Sequence, residues 1–138
     1  MRSPAMSKNV GLTADGKLQP PPKTPNCISS MAEPGSQPYI EALSYVGYDR
    51  ETAHQALLDV LKAQPLAHQI AAKDNYIYFE FRTKVFKFTD DVEFLLPVDA
   101  HLIHMRSASR VGYSDWNTNR KRLEAIRAAF EARLKAGS

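Results

Sequence analysis

Two neighbouring stretches of this 138-residue chain carry side chains able to handle charge: Asp90, Asp91 and Glu93, then Arg106, Ser107, Ser109 and Arg110. On a strand, side chains alternate between faces, so Arg106 and Arg110 share one face while Ser107 and Ser109 share the other. Two guanidinium groups four residues apart suit a bound carboxylate or phosphate. They equally suit the chain's own carboxylates one hairpin away, because an unpaired buried charge costs several kcal/mol. Asp91 and Glu93 also share a face. That spacing fits a paired-carboxylate acid/base device of isomerase, cyclase or hydrolase type, with Arg106 and Arg110 holding substrate charge. Downstream, Ser109, Gly112, Ser114 and Asp115 mark a strand-to-helix turn. Ser114 or Asp115 suits a helix cap. The alternative is an anion at that helix end with Asn119 and Arg120 reaching in, an arrangement Asp115 would oppose. Cys27 lies beside Asn26 and close to Ser29. A reactive thiol needs a base or a positive surrounding; the plainer reading is a small buried residue whose neighbours make turn hydrogen bonds.

Other chemistries find less support. His101 and His104, three residues apart on a strand, fall on opposite faces and form no chelating pair, and His54 and His68 have no evident partner. One cysteine excludes an intramolecular disulfide and a multi-thiolate zinc site. No glycine-rich phosphate loop, G-x-S-x-G or H-E-x-x-H occurs, so neither a metal nor a cofactor is expected. Tyr76, Tyr78 and Arg82 could stack on nucleic acid, or simply lie beneath a covering helix or the proline-rich strap.

These residues must be positioned by a small set of elements. Asp49 is a helix N-cap type, and Ala53, Ala56, Leu57, Val60 and Leu61 trace one apolar stripe up to Pro65, which predicts a helix over 50–63. Short strands are expected over 69–73, 76–83, 91–96 and 102–110, with 85–88 a continuation or a separate strand. Ile77, Phe79 and Phe81 fall on one strand face; Tyr76, Tyr78, Glu80 and Arg82 fall on the other. Leu123, Ile126, Phe130 and Leu134 stripe a last helix that starts near 115–118. The expected class is α+β: an antiparallel meander of three to four strands flanked by the two helices, which pack on one sheet face. Seven of nine prolines lie in the first 38 residues. They predict an extended strap over 18–38 with Pro20-Pro21-Pro22 in polyproline II form, preceded by a loose arm over 1–17. The strap, helices and sheet make a single domain over 18–136.

Length and composition suit one globular core without staples, and no apolar run is long enough to cross a bilayer. The first residues show no apolar signal core, so a cytoplasmic location is expected, or a plastid or periplasmic one if a targeting segment has been removed. The net charge of +3 favours solubility more than it identifies a partner. Arg120, Lys121, Arg122, Arg127, Arg133 and Lys135 concentrate on the last helix, where they suggest a solvated face or a weak nucleic-acid contact.

TPNCISS (Thr24 to Ser30), FTDDVEF (Phe88 to Phe94), RSASRVGYSD (Arg106 to Asp115) and NRKRLEAIR (Asn119 to Arg127) together resemble domain-of-unknown-function family 1499, over roughly residues 10–130. The resemblance implies no established activity, and its members are often small secreted, lipoprotein or plastid proteins. Many of them carry a second cysteine in a CP-x-TPNC arrangement. Pro21 stands there in this chain, which leaves Cys27 without that partner.

The functional expectation is a binding or accessory domain without cofactor. Its polar pocket, lined by Arg106, Arg110, Asp91 and Asn119 and enclosed by sheet, strap and last helix, would take a small anionic or amphiphilic ligand or a protein partner.

Overall fold

The computed structural model describes residues 10–22, 26–82, 88–110 and 116–137. Eight elements follow in chain order: β1 (Cys27–Ser29), β2 (Leu43–Ser44), α1 (Arg50–Lys62), β3 (Ala67–Ala72), β4 (Tyr76–Arg82), β5 (Thr89–Leu95), β6 (Leu102–Ser109) and α2 (Trp116–Ala136). The class is α+β. Strands β3 to β6 form the antiparallel meander, and β1 and β2 pair with the free side of β6, giving the order β1-β6-β5-β4-β3 with β2 beside β6. Both short strands lie antiparallel to β6.

Strand alternation divides the sheet into two unlike faces. Ile77, Phe79, Phe81, Val92, Phe94, Ile103 and Met105 point to one side, where Leu57, Leu61, Leu123, Ile126, Phe130 and Leu134 from the two helices complete the main core. Asp49 caps α1 through its carboxylate, which accepts the Thr52 amide at 2.7 Å. The other face carries Tyr76, Tyr78, Glu80, Asp91, Glu93, Arg106 and Cys27. It too is covered: only Arg82 of β4 is exposed.

The cover is residues 10–20. Leu12 bridges Leu18 around a turn in which the Thr13 amide donates to the Lys17 carbonyl at 2.7 Å. Gly16, with φ of +79°, supplies the left-handed conformation the turn requires. Val10, Leu12 and Leu18 then pack with Tyr76, Tyr78, Leu95, Met31 and Ala71 in a second, smaller core. Residues 10–17, assigned to the loose arm on composition, are therefore seated on the sheet. Pro20, Pro21 and Pro22 carry no regular element. The rest of the arm (1–9), residues 85–87 of the strand expected at 85–88, and the turn with Gly112, Ser114 and Asp115 lie outside the described residues.

Candidate functional site

The face on which residues 10–20 pack holds a chain of charges that runs from buried Asp91 to exposed Arg82. Arg110, just past the end of β6, makes a two-pronged contact with Asp91 (Nε to Oδ2 3.1 Å, NH2 to Oδ1 2.9 Å) and reaches Glu80 at 2.7 Å. Arg82 meets the other Glu80 oxygen at 2.7 Å, so the charges alternate from the interior toward solvent. The Tyr78 hydroxyl donates to Asp91. Burial and that bond push the phenol pKa upward. For Glu80, burial alone would raise the carboxyl pKa, but the bonds and charges of Arg82 and Arg110 outweigh it and hold the value below the ordinary one. The carboxylate of Asp91 holds the Arg110 pKa above its ordinary value.

One register step away sit Glu93 and Arg106, directly opposite one another on β5 and β6. Neither side chain has any exposed surface, and their nearest atoms are 3.5 Å apart. Glu93 accepts the Tyr76 hydroxyl and, at 2.7 Å, the Gly11 amide. Burial pushes its pKa up, against the pull of those bonds and of Arg106. Arg106 donates to the Gln19 carbonyl at 3.0 Å. Cys27 lies on the same face with no exposure, and burial pushes its thiol up to about 11. Neutral and buried, the thiol behaves as a small apolar group.

The opposite face carries a separate polar cluster, packed under α2. Ser107 donates to the Asn119 side-chain oxygen at 2.7 Å, and the Asn119 amide reaches the Asn26 carbonyl at 3.2 Å and Ser109 Oγ at 3.3 Å. Asn26 donates to the Ser109 carbonyl at 2.7 Å. Arg122 meets Asp90 at 2.7 Å and lies 5.1 Å from the Phe81 ring centre.

Several expectations change here. Asn119 does not join Arg106, Arg110 and Asp91, because strand alternation sends Ser107 and Ser109, and with them Asn119, to the α2 face. Asp90 pairs with neither hairpin arginine; it follows the same alternation to Arg122. Arg120 lies in neither cluster and donates to the Tyr39 and Gln37 carbonyls at 2.9 and 2.7 Å. Ser29 Oγ accepts the Met31 amide at 3.1 Å, a turn bond of the kind foreseen. The sheet therefore separates what was expected to be one pocket into two, and the described residues around Arg106 and Asp91 form packed pairs instead of an open cleft. Asp115 lies outside the described residues. Sequence reasoning missed Arg122, whose helical stripe position says nothing of Asp90. Ser30, one of the neighbours of Cys27 expected to make turn hydrogen bonds, accepts the Met105 amide at 2.9 Å and lies 2.9 Å from His104 Nδ1. Burial lowers the His104 pKa.

Open space lies beside residues 10–20. A groove of about 470 Å³ runs between that segment and the 30–39 turn, with Leu18, Pro20, Met31, Ala32 and Tyr39 as apolar wall and Lys17 and Asp15 at the rim. A second, of about 390 Å³, continues past Ser30 and Tyr39 toward Leu43, Val46 and His104. No group of three or more potential metal ligands occurs among the described residues.

Both clusters draw on the same quoted motifs: TPNC supplies Asn26 and Cys27, FTDDVEF supplies Asp90, Asp91 and Glu93, and RSASR supplies Arg106 to Arg110. The model of the family described as "Protein of unknown function (DUF1499)" matches residues 17–130. The chain belongs to the DUF1499 family. No curated protein and no solved structure matches it. The match to the DUF1499 model takes in both clusters, together with Lys17, Leu18, Gln19 and Pro20 of the covering segment. No helix among the described residues is long and apolar enough to cross a membrane.

Proposed function

We propose that this DUF1499 chain is a non-catalytic binding or accessory domain, taking a small anionic or amphiphilic ligand or a protein partner beside residues 10–20. The observation that carries this reading is the two-pronged, part-buried Arg110–Asp91 pair. An acid/base carboxylate must be within hydrogen-bond reach of a substrate proton, with room for the substrate. Asp91 spends both oxygens on Arg110 and Tyr78, and Glu93 faces Arg106, Tyr76 and the Gly11 amide. The enzymatic alternative therefore lacks a group that a substrate can reach: Asp91 is spent, and Glu93, though its Oε1 makes no hydrogen bond, has no exposed surface. The groove beside residues 10–20 instead combines an apolar wall with a few polar groups, as small-molecule sites do. A nucleic-acid role for α2 loses its main support, since Arg120 and Arg127 spend their donors on carbonyls of residues 37–42.

The test is a fluorescence titration with dansyl-undecanoate, an anionic amphiphile. The expected result is a saturable rise, weakened by Lys17→Glu at the rim. A saturating ligand should also raise thermal stability, by about 2.7 kcal/mol at 100 times its Kd. A flat titration with an unmoved melting temperature rejects the amphiphile.

A further inference from the structure

Residues 10–20 are held on the sheet in the way a bound peptide is held. Arg106 donates through Nε to the Gln19 carbonyl at 3.0 Å and through NH2 toward the Pro20 carbonyl at 3.4 Å. Glu93 accepts the Gly11 amide at 2.7 Å. These bonds read main chain, whatever side chains the segment carries; in peptide recognition such bonds supply affinity while side-chain pockets supply specificity. The pocket here belongs to Leu18, 3% exposed, which sits against Tyr76, Tyr78 and Leu95. The segment's own regular structure is slight: the single Leu12–Leu18 bridge closes it.

The grip is also incomplete. Arg106 NH1 and Glu93 Oε1 are fully buried, 3.5 Å apart, and neither makes a hydrogen bond. Buried polar atoms normally find partners, and leaving one unmet is costly. One of these atoms is a donor and the other an acceptor. A peptide group or carboxamide offers the matching acceptor and donor, and residues 10–20 place none there. A buried charge pair in this state gains from hydration or from a better-matched partner.

We propose that the covered face is a peptide-binding site and that residues 10–20 occupy it as a built-in competitor. The ligand is an extended segment of a partner protein. It carries an apolar anchor followed by accessible main-chain carbonyls, as Leu18-Gln19-Pro20 does, and one amide group for Arg106 and Glu93. The proposal rests on the binding-domain reading and names its partner class. Regulation follows from the geometry: a partner binds only as far as the resident segment releases the site, so its apparent affinity falls with the fraction of molecules in which the site is covered.

The test uses the full chain bearing Leu18→Asp, which removes the anchor and leaves the sheet unaltered, and a fluorescein-labelled peptide copying residues 10–22. Fluorescence anisotropy should show saturable binding to this variant, about tenfold or more tighter than to the parent, where the resident segment competes. A peptide carrying the same Leu18→Asp change should not bind. A folded variant that binds no peptide overturns the proposal. Hydrogen exchange on the parent decides the matter even if the variant fails to fold. The Gly11, Gly16 and Lys17 amides should exchange on the order of 100-fold faster than those of Val92 and Met105. A common rate for both sets overturns the proposal, because the segment would then leave only on global unfolding. If the amphiphile titrates and the peptide does not, the peptide site falls and the binding-domain reading stands; if neither binds, both fall.

Discussion

Glu80 and Glu93 lie on one face of adjacent strands, yet their surroundings push them in opposite directions. The Glu80 carboxyl is held below its ordinary value of 4.5 because the bonds from Arg82 and Arg110 outweigh burial, whereas the Glu93 carboxyl is raised because burial outweighs Tyr76, Gly11 and Arg106. Linkage fixes the signs. Glu80 contributes stability that is present above its unfolded pKa and is lost as the pH falls through the lowered folded value. Glu93 contributes stability that is present below its unfolded pKa and is lost as the pH rises through the raised folded value. Denaturation measured between pH 3 and 7 should therefore show that Glu80→Gln flattens the acid limb of the stability curve, while Glu93→Gln removes a loss on the neutral side. Matching pH profiles for the two variants would contradict these assignments. Cys27 has its own test. With no exposure and a thiol pKa of about 11, it should resist iodoacetamide in the native chain at pH 7.5 and react fully in denaturant. Rapid native labelling would mean an accessible thiolate. Much of this scale was legible in advance. Period-two alternation put Arg106 with Arg110, and Asp91 with Glu93; that the two pairs share a face is fixed by the β5–β6 register, which no periodicity shows. Alternation also placed Ser107 and Ser109 on the face opposite the two arginines, which should have separated Asn119 from the arginines once α2 was set against the apolar face. The partners contributed by distant chain, Gly11 and Gln19, leave no periodic mark.

At the scale of elements, α2 acts as a clamp as well as a core helix. Its apolar stripe of Leu123, Ile126, Phe130 and Leu134 packs on the sheet, while Arg120 and Arg127 hold residues 37–42 by their carbonyls. Arg127 makes two such bonds, to Ala42 at 3.1 Å and Glu41 at 2.6 Å, and an ion pair with Glu124. Arg127→Ala should cost about 1–2 kcal/mol in urea denaturation and loosen the β2 region in hydrogen exchange. Unchanged protection at Leu43 would indicate that the clamp is decorative. Both helices and the four-strand meander could be read from capping, apolar period and turn residues. Strands β1 and β2 could not: with three and two residues they have no period to detect, and pairing with β6 alone makes them strands. The prolines point to a chain without regular structure, but proline content does not reveal that Leu12 and Leu18 have an aromatic surface to cover.

Across the whole molecule, one sheet separates two different interiors. The helix side is apolar apart from the Asn119 and Arg122 clusters; the other side is an ion-paired and aromatic layer sealed by residues 10–20. Such a layer is expensive to build, and cores of this size are commonly more stable when it is replaced by apolar residues. Keeping it makes sense if its specificity or its occasional exposure is used, which is why the binding reading is placed on that side. The most direct test is the stability of Arg106→Met at pH 7, measured by equilibrium denaturation against the parent chain. If Arg106 is a buried structural partner of Glu93, the substitution leaves a carboxylate uncompensated and should cost about 3–5 kcal/mol, with the cost shrinking as the pH is lowered and Glu93 takes a proton. Parent-like stability at pH 7 would contradict the account, because it would mean that the buried Glu93 carboxylate does not depend on Arg106.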